Sequence, residues 1–84
     1  MNVSRAALPQ MVAPEREWDL LREVERAARL YRRAQQALAE RERAGGGAAA
    51  FRALLEAVAL RHHQLDAALL EIQRYYEAAG VSDE

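Results

Sequence analysis

Apolar residues fall along this chain at spacings of four and three over two long stretches. In the first, Leu20, Val24, Ala27, Tyr31, Ala34 and Leu38 alternate in this way from residue 14 to about residue 43. That period is the heptad seam of an amphipathic helix facing another helix. Large side chains (Val24, Tyr31, Leu38) alternate with alanines (Ala27, Ala34), which lets a neighbour approach closely. In the second stretch, about 48–79, the same spacing selects Phe51, Leu55, Val58, His62, Leu65, Leu69, Ile72, Tyr76 and Ala79. Only His62 is not apolar. Leu54 and Ala68 widen this row.

The punctuation between the stretches agrees. Pro14 suits the first turn of a helix, where its missing N–H costs nothing. Glu15, Glu17 and Asp19 place negative charge at the positive end of the helix dipole, and Arg41 and Arg43 suit the other end. Gly45-Gly46-Gly47 breaks the first helix, since glycine reaches the left-handed conformation of a helix C-cap. The connection, residues 44–47, is too short for a domain linker and favours antiparallel neighbours. Gly80 ends the second helix, with Val81 placed to touch Tyr76. Residues 1–13 hold Pro9 and no sustained period, and read as a flexible tail. The expected fold is all-α: one domain, residues 14–84, formed by two long helices in an antiparallel hairpin.

Composition narrows the function. The 84 residues carry no cysteine, which removes disulfides and thiolate metal sites. A domain of this size hides only about 60% of the surface its unfolded chain exposes, so a second copy or a partner is an expected source of stability. Apolar residues make up 51% and aromatics only 6%, and charged residues add 30%, the balance of long helices and coiled coils. The net charge of −1 gives no global pull toward nucleic acid or an anionic membrane. No stretch has the roughly 18 uncharged apolar residues of a spanning helix, and the N-terminus lacks a secretory leader's apolar core. The expected location is the cytoplasm.

Candidate chemistry is sparse. His62 and Asp66 share a helix face at four-residue spacing, as half a metal site or an acid–base pair would. The simpler expectation is a buried, neutral seam histidine steadied by a carboxylate. His62 and His63 point about 100° apart on a helix and do not converge on one ion. Ser4 and Ser82 lie outside the helices, and the three glycines lack the lysine of a phosphate-binding loop. Arg22, Arg26, Arg29 and Arg33, with Arg32 beside them, read as a solvated face. Trp18 is expected to cover the open end of the hairpin near Tyr75 and Tyr76. Neither a catalytic residue, a metal site, a cofactor nor a small-molecule substrate is expected.

The second helix holds more apolar residues than one neighbour requires. Ala53, Ala57, Leu60, Ala67 and Leu70 form a further row, interrupted by Gln64. A helix facing one neighbour needs only a narrow apolar stripe, so this row is the expected binding surface for another protein or a second copy.

The Gly45-Gly46-Gly47 turn, Phe51 after it, the segment His63-Gln64-Leu65-Asp66-Ala67-Ala68-Leu69-Leu70-Glu71-Ile72 and the pair Tyr75-Tyr76 resemble the small hairpin co-chaperones of bacterial type III secretion. The likeness runs from about Leu20 to Tyr76, although an extra turn separates Phe51 from Leu65 relative to some members. It implies a non-catalytic protein that pairs with a tetratricopeptide-like chaperone to hold a needle subunit soluble. Two alternatives stand beside it. One is a self-associating structural hairpin. The other is a hairpin similar to the aspartyl-phosphate phosphatases of sporulation. There His63-Gln64-Leu65-Asp66 and Tyr75 match part of the motif, but the serine and one spacing residue are missing.

Overall fold

The computed structural model describes residues 14–80, and its regular elements there are two helices. Helix α1 spans Pro14–Ala44 and helix α2 spans Ala48–Ala78, 31 residues each. They pack against each other as a hairpin, as the apolar spacing predicts. The tail at 1–13 and the proposed contact of Val81 lie outside the described residues.

The helices end differently. Helix α1 has Glu15 and Glu17 in its first turn and Arg41 and Arg43 in its last, each favourable to the dipole. Helix α2 has no acidic residue in its first turn and no basic residue in its last. Its N-cap is Gly47, in extended conformation, with no side-chain hydrogen bond. The Phe51 N–H donates to the Gly47 carbonyl at 3.1 Å and starts the helix. In the turn Gly45 has φ +79° and Gly46 φ +142°, conformations that side chains disfavour. A Cβ at Gly46 would also come within 2.5 Å of Arg41 Nε, because the arginine folds over the turn.

Two cross-helix pairs set the register. Tyr76 meets Glu17, and Tyr31 meets His62. In both pairs the residue numbers add to 93, so Val24 lies level with Leu69 and Leu38 with Leu55.

On α1 the seam is as expected: Leu20 is buried, and Val24, Ala27, Tyr31, Ala34 and Leu38 are half-buried. On α2 the expected seam is half right. Phe51, Val58, Leu65, Ile72, Tyr76 and Ala79 do face α1. Leu55 and Leu69 are instead exposed, and His62 lies at the rim, exposed but with its ring against that of Tyr31; the residues turned inward are Leu54, Arg61, Ala68 and Tyr75.

The reason is the pitch of the helix. At about 3.6 residues per turn a straight helix drifts about 20° per heptad against a strict seven-residue repeat. The inward stripe runs through Phe51, Val58, Leu65 and Ile72 and through Leu54, Arg61, Ala68 and Tyr75, with Ala50 and Ala57 along one edge and Tyr76 along the other. A fixed frame that fits Tyr76 is therefore displaced by about 20° at Leu69, about 40° at His62 and about 60° at Leu55, which moves these residues toward the rim of the stripe. Two local features mark this face. Ala68 is small and half-buried, whereas its neighbour Leu69 is exposed. Arg61 lays its aliphatic stem along the seam and sends its guanidinium out to Gln64 Oε1, 2.9 Å away.

The core is thin. Among the described residues only Leu20, 2% exposed, and Ile72, 6% exposed, are fully buried hydrophobics. Both lie at the open end, remote from the glycine turn.

Candidate protein-binding surfaces

Helix periodicity and the contacts above divide the outside of the hairpin into two sides. One side is polar. A shallow groove there is lined by Glu23, Arg26, Ala27 and Leu30 from α1 and by Arg61, Gln64 and Ala68 from α2. The exposed ion pair of Arg16 with Glu71, 3.0 Å apart, spans the helices on the same side. Leu60, 53% exposed, lies on the same side of α2 as this groove, with Ala53 and Ala67, also exposed, and half-buried Ala57. These four residues of the expected binding row follow one line. Leu70, also exposed, is turned about 80° from Leu60, at the back of α2, and does not continue that line.

The other side is more apolar. Leu55, His62 and Leu69, which the drift of the seam turns out of the interface, line it on α2. Leu21, exposed, and Ala28 and Ala39, half-buried, line it on α1. Sequence reasoning overlooked Leu21 and misassigned Leu55 and Leu69. The seven-residue spacing from Leu55 to His62 to Leu69 was visible, but it was read as the hairpin's own seam.

His62 is therefore not the buried histidine expected. Its side chain is about half exposed, its Nδ1 lies 3.5 Å from Asp66 Oδ2, and its ring meets that of Tyr31 at 5.3 Å between centroids. The pairing with Asp66 is as expected, but in solvent. Among the described residues no group of three His, Cys, Asp or Glu side chains is placed to hold a metal ion.

The open end is closed by tyrosine, not tryptophan. Trp18 is 61% exposed and does not cover Tyr75 and Tyr76. Those two rings contact each other at 5.6 Å, and the Tyr76 hydroxyl donates to Glu17 Oε2 at 2.6 Å. The carboxylate accepting this hydrogen bond raises the Tyr76 pKa above the usual 10.0, with burial and the negative charge of Glu17 acting the same way. Glu17 follows Arg16 in the first turn, so one turn of α1 makes two polar links to α2. The arginines of the expected solvated face, Arg22, Arg26, Arg29, Arg32 and Arg33, are all exposed, and Arg22 pairs with Asp19 at 2.6 Å.

At the turn, Arg41, Glu42, Gly45, Gly46, Gly47, Ala48 and Phe51 line a shallow depression. Arg41 lies against Gly46, so the glycine backbone does not form an open cradle. No described helix is long and apolar enough to cross a membrane. Comparison of the chain with protein-family models, curated proteins and solved structures gives no match.

Proposed function

We propose that this chain is a non-catalytic protein-interaction hairpin of the cytoplasm, completed by a helical partner. The observation that carries this reading is the imbalance of its apolar residues. Among the described residues two large hydrophobics are buried, while Trp18, Leu21, Leu55, Leu60, Leu69 and Leu70 are exposed. Each leucine contributes about 1.5–3 kcal/mol when buried, so a protein that covers them gains binding energy that folding leaves unused. The Leu60 side suits a specific partner. It offers Leu60 and small alanines for an apolar contact, and beside them Glu23, Arg26, Arg61 and Gln64 for polar selection.

The resemblance to the hairpin co-chaperones of type III secretion supplies the particular reading: pairing with a tetratricopeptide-fold chaperone to shield a needle subunit. The test is co-expression with such a chaperone and needle subunit encoded beside this chain in its own genome. A stoichiometric complex is expected that keeps the needle subunit soluble, and Leu60→Glu should release this chain from it. A needle subunit equally soluble without this chain would end the co-chaperone reading. Undiminished binding by Leu60→Glu would end the assignment of the surface.

A further inference from the structure

We infer that the apolar side bearing Leu55, His62 and Leu69 is a two-fold interface between two copies of this chain, with the symmetry axis passing His62. The inference is independent of the co-chaperone reading, which uses the opposite side of the hairpin.

A symmetric dimer surface must be self-complementary: if residue i meets residue j of the second copy, j must meet i. The row on α2 satisfies this condition. Leu55 lies seven residues before His62 and Leu69 seven after, so the row reads the same in both directions about the histidine. A second α2 laid antiparallel across it sets Leu55 against the second copy's Leu69, Leu69 against its Leu55, and the two His62 rings side by side. Both leucines have room for this contact: Leu55 is 48% exposed and Leu69 40% exposed. The row contains no arginine or glutamate to repel its counterpart. Seven-residue spacing is also the repeat by which helices pack as coiled coils, and the row through Leu55, His62 and Leu69 repeats it one residue beyond the Leu54, Arg61 and Ala68 row that faces α1.

The area is sufficient. From Arg52 to Gln73 the face is about 30 Å long at about 1.5 Å per residue, and two helices side by side are about 20 Å wide. Leu21, Ala28 and Ala39 carry the apolar character across to α1. Pairing two such faces covers about 1,200 Å² in total, the lower end of specific interfaces. The resulting four-helix assembly gives each chain the core that Leu20 and Ile72 alone do not provide.

The absence of cysteine makes the test direct. By light scattering the purified full chain should have twice its 9.4 kDa mass. Under mild oxidation His62→Cys should form a disulfide-linked dimer. Leu55→Cys and Leu69→Cys should cross-link when mixed in equal amounts and only weakly when alone. Leu60→Cys, on the other side, should not cross-link. Leu55→Glu combined with Leu69→Glu should halve the mass while circular dichroism still shows helix. A monomeric parent chain overturns the inference. So does cross-linking of Leu60→Cys as fast as His62→Cys, or a mixture of the Leu55 and Leu69 variants that links no better than either alone.

Discussion

The two ends of the hairpin hold together by different means. At the turn, Gly45, Gly46 and Gly47 join the helices covalently, and the side chains there are thinly packed: Phe51 is half-buried and Arg41 lies over a glycine. At the open end nothing covalent joins the helices. There lie the two buried residues among those described, Leu20 and Ile72, the hydrogen bond from Tyr76 to Glu17 and the ion pair of Arg16 with Glu71. The lesson is entropic. A short turn keeps the helix ends near each other at little cost in closure entropy, so the turn end needs few contacts. The open end frays unless burial and specific polar links oppose the freedom of two chain ends.

The sharpest way to break this comparison is to remove one large side chain from each end. Leu20→Ala should cost about 2–5 kcal/mol, as for a fully buried leucine. Phe51→Ala removes a larger side chain but should cost less, because Phe51 is only half-buried. Urea denaturation of both variants gives the ranking, and a larger loss at Phe51 would show that the turn end anchors the fold. The turn should instead be sensitive to backbone conformation. Gly46→Ala is expected to cost about 1–3 kcal/mol, since alanine disfavours φ near +142°. Arg41 can swing away, so Gly46→Ala in an Arg41→Ala background should lose nearly as much. Full rescue by the second change would place the cost in the side-chain clash.

Between the ends, one residue of rotation separates the inward and outward faces of α2. Ala68→Leu should overpack the seam by about 1–3 kcal/mol. Ala67→Leu, on the exposed face, should stay within about 0.5 kcal/mol of the parent. Equal effects would mean that the stripe facing α1 is not the one described. At the open end, the raised pKa of Tyr76 sets a direction with pH. The folded chain binds the phenolic proton more tightly than the unfolded chain. Its contribution is therefore complete below pH 10.0 and is lost as pH rises through the folded value. Tyr76→Phe should flatten that alkaline decline and leave the neutral and acid limbs alone, and an unchanged alkaline limb would discount the bond to Glu17. The smallest expected effect is a gain. Gly47 caps α2 without a side-chain bond and has open space where a Cβ would go. Gly47→Ser should supply the cap and raise stability by a few tenths of a kcal/mol. A loss on melting would show that the turn needs glycine here too.

The legibility of the two helices differed for a reason that particular residues make plain. On α1 adjacent apolar residues also occur, at Leu20-Leu21, Ala27-Ala28 and Leu30-Tyr31, but Val24 and Ala34 are each flanked on both sides by arginine, glutamate or glutamine, and these two positions set the stripe. On α2 adjacent pairs of apolar residues, Leu54-Leu55, Ala68-Leu69 and Tyr75-Tyr76, offer two frames one residue apart. Keeping the alternating steps of four and three from Phe51 gave Leu55 and Leu69, and with them His62. The structure turns Leu54, Arg61 and Ala68 inward instead. The expected outer row was partly legible for the same reason: Ala53, Leu60 and Ala67 are exposed, but Leu70 belongs to the back of the helix and Ala57 to the edge of the seam.

What the sequence by itself determined is local. Helix-forming residues, a proline start, charged ends and a glycine break depend on neighbours within a few positions, and from these follow two helices, their bounds and their hairpin. What only the tertiary structure decided is rotational. Which of two adjacent residues faces α1 depends on how the two helices settle against each other over several turns, and on an arginine, Arg61, that reads as polar in the sequence yet is half-buried in the hairpin. A rotation of about 100° per residue is enough to move a leucine from the core of the hairpin to the surface a second protein would meet.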